Sequence, residues 1–390
     1  MKSYLLRTIF YALILCFVSP DLKAQNQVKL FKDTTDNAFD ISNWLSTVTG
    51  FVPIIMPITE PAIGYGVGGG LFFMHTNDFR RAAKEGRLND PKFENISPTP
   101  PSISGVGGGV TENGTWVAGI GHMAVWKEDR IRYKIGAGGG SINLDYYGNF
   151  LLPNIKRRFN TKLFVITNEV NFRVADSDFW LGLGYSFASM DIEFEKKFDW
   201  PNLGFNKRNT KNGALFPTVI FDNRDNVFTP NRGIRAYIKY SYNDKWLGGT
   251  ESFQSISSYA LGFHQWAMGH VSGLRFDMKN TFGNPTFIYL PFLMMRGIPS
   301  MKYQGNNTAL LEFEQRIKIY NRWSLVAFTG AGKAFPEFSE FKNVDWVYNY
   351  GTGFRYYVAR KFGMHMGMDF AWGPEDFAFY ITLGSAWMGL

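Results

Sequence analysis

Cysteine is almost absent: the 390-residue chain has one, Cys16. That excludes a disulfide framework and a thiolate zinc site. Charge is scarce as well, at 19% of residues, which excludes a disordered chain or one that wraps nucleic acid. Long apolar runs are missing beyond the first two dozen residues, so nothing after them spans a bilayer as a helix. No phosphate loop, acidic calcium loop or His-Glu-x-x-His pair occurs, and neither a cofactor nor a metal is expected. What is plentiful is glycine, 41 residues, and aromatic side chains, 17%. That mixture, at low charge, suits an all-β membrane protein.

Residues 1–24 read as a secretory signal. Lys2 and Arg7 make a positive start, Ile9 to Val18 an apolar core, and Ala24 a small residue ahead of Gln25. Leu15 before Cys16 does not suit a lipoprotein site, so ordinary cleavage is expected. Lys2, Arg7 and Lys23 against Asp21 carry +2, so cleavage takes the formal charge from +8 to +6 (8 − 2 = 6). Export of a β-patterned chain predicts the outer membrane of a Gram-negative bacterium. A soluble periplasmic β-protein is the rival.

Hydrophobic alternation sets the fold class. From Gly233, Ile234, Ala236, Ile238, Tyr240 and Tyr242 share one face, and Arg235, Tyr237, Lys239 and Ser241 the other. In the segment from Ala309, Leu311, Phe313, Ile317 and Ile319 face one way, and Glu312, Glu314, Arg316 and Lys318 the other. Four successive ionisable positions do not suit a dry sandwich core. They suit a hydrated lumen with lipid outside. The last strand is expected to align Phe377, Phe379, Ile381, Leu383 and Trp387 on one face and Ala378, Tyr380, Thr382 and Gly384 on the other.

About fifteen segments have the length of a tilted spanning strand: 62–75, 102–111, 115–126, 130–147, 160–175, 178–194, 212–222, 233–244, 252–267, 270–282, 306–319, 323–333, 345–358, 362–372 and 377–388. Both termini on one side require an even count. The expectation is an all-β transmembrane antiparallel barrel over 51–390, with sixteen strands rather than fourteen. The missing strand would lie near 50–60 or before 212. Within the N-terminal segment 25–50, residues 37–49 carry Ile41, Trp44, Leu45 and Val48 at helical spacing, with Asp36 or Asp40 as a cap. Residues 77–101 form a loop.

Two stretches stand out. Asp222-Asn223-Arg224-Asp225-Asn226-Val227-Phe228-Thr229-Pro230-Asn231-Arg232-Gly233 is a polar hairpin between two strands. Arg296-Gly297 sits in the long connection 283–305. Asp369 lies on a late strand, on the face of Gly367, while Gly351, Gly353 and Arg355 share a face on the strand before it. In this order these features resemble the BamA/TamA/FhaC superfamily of outer-membrane barrels, also called the bacterial surface antigen family. The resemblance covers roughly residues 50–390. Its hairpin motif is similar to Asp222, Arg224, Asp225, Phe228, Pro230 and Gly233, which the family would place on the periplasmic side. Its arginine-glycine loop is similar to Arg296 and Gly297, and its lumen aspartate to Asp369. Pro57, Glu60, Pro61, Gly64 and Gly66 resemble the start of its first strand.

Departures exist. About 26–36 residues lie between the cleavage site and the barrel, too few for a POTRA domain. Ile298 stands where the family has an aromatic, and the chain ends Trp387-Met388-Gly389-Leu390.

The family's long loop folds into the barrel, which implies that Arg296 pairs there with Asp369, with Glu312 and Glu314 as further partners. A guanidinium in a low-dielectric wall needs such carboxylates. Gly64, Gly66, Gly68 and Gly70 alternate on the inner face of one strand and would leave room for that loop. A poorly paired first strand would give the wall a seam.

The histidines are His75, His122, His264, His270 and His365. No serine motif accompanies them, so an enzyme is not expected. The basic runs Lys156-Arg157-Arg158, Lys196-Lys197 and Lys207-Arg208 would face water or lipopolysaccharide phosphates. The expected partners are outer-membrane lipid, lipopolysaccharide and a periplasmic or outer-membrane protein in place of POTRA domains. Protein insertion or transport is the expected role. A passive porin-like channel and a scaffold subunit of an envelope complex are the alternatives.

Overall fold

The computed structural model describes residues 31–47, 50–76, 101–147, 156–195 and 207–388. The signal segment, Val48, residues 77–100 and Lys196-Lys197 lie outside the described residues. Sixteen strands follow one another: β1 Gly50–Glu60, β2 Gly64–Met74, β3 Ile103–Thr111, β4 Trp116–Trp126, β5 Ile131–Tyr146, β6 Arg157–Arg173, β7 Phe179–Phe194, β8 Lys207–Asp222, β9 Gly233–Asn243, β10 Phe253–Ala267, β11 His270–Phe282, β12 Asn307–Tyr320, β13 Trp323–Phe335, β14 Val347–Ala359, β15 Met364–Trp372 and β16 Phe377–Leu383. Each pairs antiparallel with the next in chain order. β1 and β16 come side by side, so the sheet is a nearly closed barrel.

The strand absent from the sequence count is β1, at 50–60. Its Pro53 and Pro57 mask the strand pattern, since proline brings no N–H to a ladder and is tolerated at an edge. β1 is such an edge: among the described residues no ladder joins it to β16. β16 has only 7 residues, fewer than the roughly 9–11 of a spanning strand. The Pro57 to Gly66 motif therefore forms the β1–β2 turn rather than the start of the first strand.

Two further expectations are corrected. The helix, α1, covers Ser42–Thr47, shorter than 37–49. Residues before it fold back through a turn over 34–36 closed by an antiparallel Lys32–Phe39 bridge, and the Asp40 carboxylate accepts from Ser42 N at 2.6 Å. Trp387 does not continue the outer face of β16. Gly384, at φ +80°, turns the chain, and Trp387 is buried against Phe263 of β10 and Gly273 of β11. A Cβ at Gly273 would stand 2.9 Å from the indole.

Alternation separates wall from lumen. Leu311 is 49% and Phe313 43% exposed, while Glu312 between them is 1% exposed; the first two face lipid and the third faces inward. Tyr350, Trp372 and Phe377 pack in series toward one mouth, and Trp323 meets Tyr356 edge to face toward the other, as the aromatic girdles of a membrane barrel do. The even strand count brings the first and last strands to one mouth, called here the terminal mouth. The 283–306 connection leaves and returns at the opposite mouth. The lumen is uneven: the inner faces of β2, β3 and β5 carry Gly66, Gly68, Gly70, Gly107, Gly109, Gly136, Gly138 and Gly140, whereas β11 to β15 carry charge.

Candidate functional site: an ion-paired loop and a strap across the β1–β16 seam

β12 presents Glu312 and Glu314 inward, and β15 presents Asp369. Arg296 of the 283–306 connection meets all three. Its Nη1 donates to Glu314 Oε2 at 2.7 Å and to Asp369 Oδ2 at 2.9 Å, and its Nε stands 4.0 Å from Glu312 Oε1. The guanidinium lies 3.5 Å from the centre of the Phe328 ring, and Asn349 of β14 donates to its carbonyl at 2.8 Å. All of these partners are inner-face residues, so the loop tip sits inside the ring of strands.

Asp369 is shared. Arg355 of β14 holds it through both terminal nitrogens, at 2.6 and 2.9 Å. Arg275 of β11 takes Glu312 at 2.7 Å and Asp277 at 3.1 Å, and Arg316 bonds Asn231. Four guanidiniums (Arg275, Arg296, Arg316, Arg355) thus offset four carboxylates (Asp277, Glu312, Glu314, Asp369). Balance matters here, since breaking a buried pair costs about 3–5 kcal/mol. Glycine makes the space: a Cβ at Gly353 would stand 2.3 Å from Asp369 Oδ1 and 2.4 Å from the Met368 carbonyl.

The loop tip touches both sides of the seam. Gly297, at φ +81°, donates its N–H to Tyr380 Oη of β16 at 3.0 Å. Ser300 donates through N and Oγ to Glu60 of β1 at 3.2 and 3.1 Å. Between loop and wall lies a cavity of about 380 Å³ lined by Glu60, Arg296, Ser300, Tyr380 and Trp387.

The hairpin lies at the terminal mouth, away from Arg296. Asp222 accepts from Arg224 at 2.8 and 2.9 Å and from Arg235 at 2.8 Å. Asp225 accepts from the N–H groups of Asn231 and Arg232 at 2.9 and 3.1 Å. Pro230 is buried, and Gly233 takes φ +103°. The hairpin reaches across the mouth: Ser385 N donates to the Phe228 carbonyl at 2.6 Å, His365 N to Thr229 Oγ1 at 3.1 Å, and Asn226 to the Phe362 carbonyl at 2.8 Å. Arg316, bonded to Asn231, links it to the charged face of β12.

A second clamp went unread in the sequence. Asp33, Asp36 and Asp40 each approach Arg322, in the β12–β13 turn, at 2.6 Å, and Arg360 reaches Asp33 at 2.9 Å. Ile41 N donates to the Val358 carbonyl at 2.9 Å, and Ile41 and Leu45 pack on Val358, Ala359 and Met364. The arginine holds Asp36 down at about 2 through its hydrogen bond. Asp33 is lowered chiefly by the Thr35 N–H. Burial works against Asp40, but hydrogen bonds from Ser42, Arg322 and Arg360 outweigh it and its pKa is lowered too. The segment is anchored beneath β12 to β15 and leads directly into β1, on the far side of β16. It is a strap across the seam. Its only sequence signal is the Asp33, Asp36, Asp40 spacing. Arg355, Arg275 and Asp277 were likewise missed as members of the lumen cluster.

No protein-family profile and no curated protein matches the chain by sequence. Solved structures match by fold. BamA from Haemophilus ducreyi lacking POTRA domains 1–3 superposes with a TM-score of 0.57 at 11% identity, over 93% of this chain and 82% of that one. CdiB from Escherichia coli superposes with a TM-score of 0.58 at 10% identity, over 85% of this chain and 61% of that one. CdiB from Acinetobacter baumannii gives 0.50 at 8% identity, over 85% and 59%. The chain thus spans about three fifths of the CdiB chains it matches, and it shares with them and with BamA the fold of an antiparallel barrel.

Proposed function

We propose that this protein inserts polypeptide into the outer membrane or carries it across, and that the β1–β16 seam is the part that moves. One observation carries the reading: two strands that lie side by side without a ladder are bridged by an ion-paired loop at one mouth and an ion-paired strap at the other. A fixed pore gains nothing from leaving that ladder unmade, because a closed sheet satisfies its own edges. A wall that must part gains from ion pairs that exchange for water without unfolding a strand. The fold likeness to BamA and CdiB, the outer-membrane setting and the resemblance of the Arg296 and Asp222 motifs support the same class. Lipid and lipopolysaccharide surround the barrel, and a periplasmic or outer-membrane protein is its partner. Depletion followed by an outer-membrane proteome tests the reading. Selective loss of particular outer-membrane or exported proteins supports it, and an unchanged proteome overturns it.

The glycine-bare wall of β2 to β5 favours a second reading, a passive channel. That reading requires steady conductance from the wild-type barrel in planar bilayers. The transport reading requires low conductance that rises when Arg296 is replaced.

A further inference from the structure

Three polar side chains meet on the lipid-facing side of the wall. His75 follows β2, Ser104 lies on β3 and His122 on β4. Their outward direction follows from their neighbours: Leu71, Val106, Ile120 and Trp126, on the same faces of the same strands, are exposed. Ser104 Oγ is 2.8 Å from His75 Nε2 and 2.8 Å from His122 Nδ1. The two rings stand edge to face with centres 5.4 Å apart. Two imidazole nitrogens from strands two apart therefore converge on one oxygen.

We propose that His75, His122 and Ser104 form a site for a borderline-soft divalent cation, Zn²⁺ or Cu²⁺, on the outer wall near the terminal mouth. Imidazole is the ligand these ions prefer over magnesium or calcium. The spacing fits one shared ion. A Zn–N bond of about 2.0–2.1 Å plus roughly 1.1 Å to the ring centre puts each centre ~3.2 Å from the metal, so two rings at a tetrahedral angle stand ~5.2 Å apart. Ser104 Oγ supplies a third donor between them. The surroundings argue that the trio has a use: Phe51, Phe73, Leu71, Val106 and Ile120 around it are apolar, and polar groups on a lipid-facing wall are costly even when hydrogen-bonded to one another. Ester hydrolysis by Ser104 is a poorer use of the same atoms. The β3 backbone is laddered to β2 and β4, which leaves no N–H group free for an oxyanion. Sequence reading missed the site because 29 and 18 residues separate the serine from its histidines. A bound ion would tie β2, β3 and β4 together beside the seam strand β1, at the root of the 75–102 connection.

The test uses the folded, full-length barrel in detergent, purified without a polyhistidine tag and titrated with Cu²⁺. Paramagnetic resonance should report one immobilised ion per chain with two coordinated nitrogens, and calorimetry with Zn²⁺ should give the same stoichiometry. His75→Ala and His122→Ala should each weaken binding by on the order of 100-fold and leave at most one nitrogen, and Ser104→Ala by about tenfold. His264→Ala, on another part of the wall, should bind as wild type. Heat-modifiability on gels shows that each variant is folded. Absence of an immobilised ion in the wild type overturns the proposal, as does a two-nitrogen signal that survives His75→Ala.

Discussion

The loop tip and the N-terminal strap use the same pairing in two different solvents. Arg296 sits among Glu312, Glu314 and Asp369 inside the lumen, where Asp369 has no exposed surface. Arg322 sits among Asp33, Asp36 and Asp40 at the mouth; it and Asp40 are buried while docked, but the Asp36 side chain is 25% exposed. In the lumen each charge depends on its partner, because low dielectric makes an unpaired ion expensive. At the mouth, water can solvate the carboxylates once they are released, and salt screens the attraction. The lumen cluster should therefore behave as a structural lock and the mouth cluster as a latch that conditions can loosen.

The largest effect should come from Asp369→Ala. It strands Arg355, which has both terminal nitrogens on that carboxylate, and removes one of the two hydrogen-bond partners of Arg296. A loss of about 3–5 kcal/mol, read as a lower urea midpoint for loss of the heat-modifiable band, is expected.

Arg296→Ala should come next and act more locally. Asp369 keeps Arg355, so the wall survives, while the 283–306 connection becomes protease-sensitive. The double variant should be less than additive, since the two changes share one interaction. Arg296→Lys should rescue in part. One nitrogen, Nη1, makes both hydrogen bonds and an ammonium can stand in for it, but stacking on Phe328 is lost. Simple additivity would separate the loop from Asp369 and weaken the account.

Arg322→Ala should be milder still. Residues 31–47 should become cleavable while the barrel's urea midpoint barely moves, and high salt should mimic the change in the wild type. The smallest effect is on pH dependence. The three carboxylates are depressed when docked, so docking is fully favoured above their ordinary value of 3.8. It is lost as pH falls from there toward the docked value of about 2 for Asp36. Protection of the strap should be flat from pH 8 to 5 and collapse below 4. Release near neutral pH would contradict the assignment.

Much of the wall was legible in the sequence, because a lumen and a lipid phase impose opposite demands on alternate residues. β9 and β12 declare themselves through Ile238 against Lys239 and Phe313 against Glu314. β1 did not, since Pro53 and Pro57 break the pattern that an edge strand does not need. Trp387 was misplaced because continuing the alternation past Leu383 ignores the turn at Gly384. Of the lumen cluster, Arg296, Glu312, Glu314 and Asp369 could be named from parity and motif resemblance. Arg355 was visible only as a residue beside Gly353, and its partner follows from a register that places Gly353 opposite Asp369. The strap was illegible because Arg322 is separated by more than 280 residues from Asp33, Asp36 and Asp40, and no periodicity links a tail to a turn.

The loop and the strap together should hold the seam shut. Tyr65 of β2 and Phe379 of β16 stack across the end of β1 with ring centres 5.7 Å apart, so spin labels on cysteines placed at 65 and 379 report the seam directly. Electron–electron distance measurements in lipid should give one short, narrow distribution in the otherwise wild-type barrel. A longer and broader one should follow when Arg296→Ala and Arg322→Ala are combined. If the combined variant keeps the narrow distribution, the seam does not depend on these two clamps and the account fails.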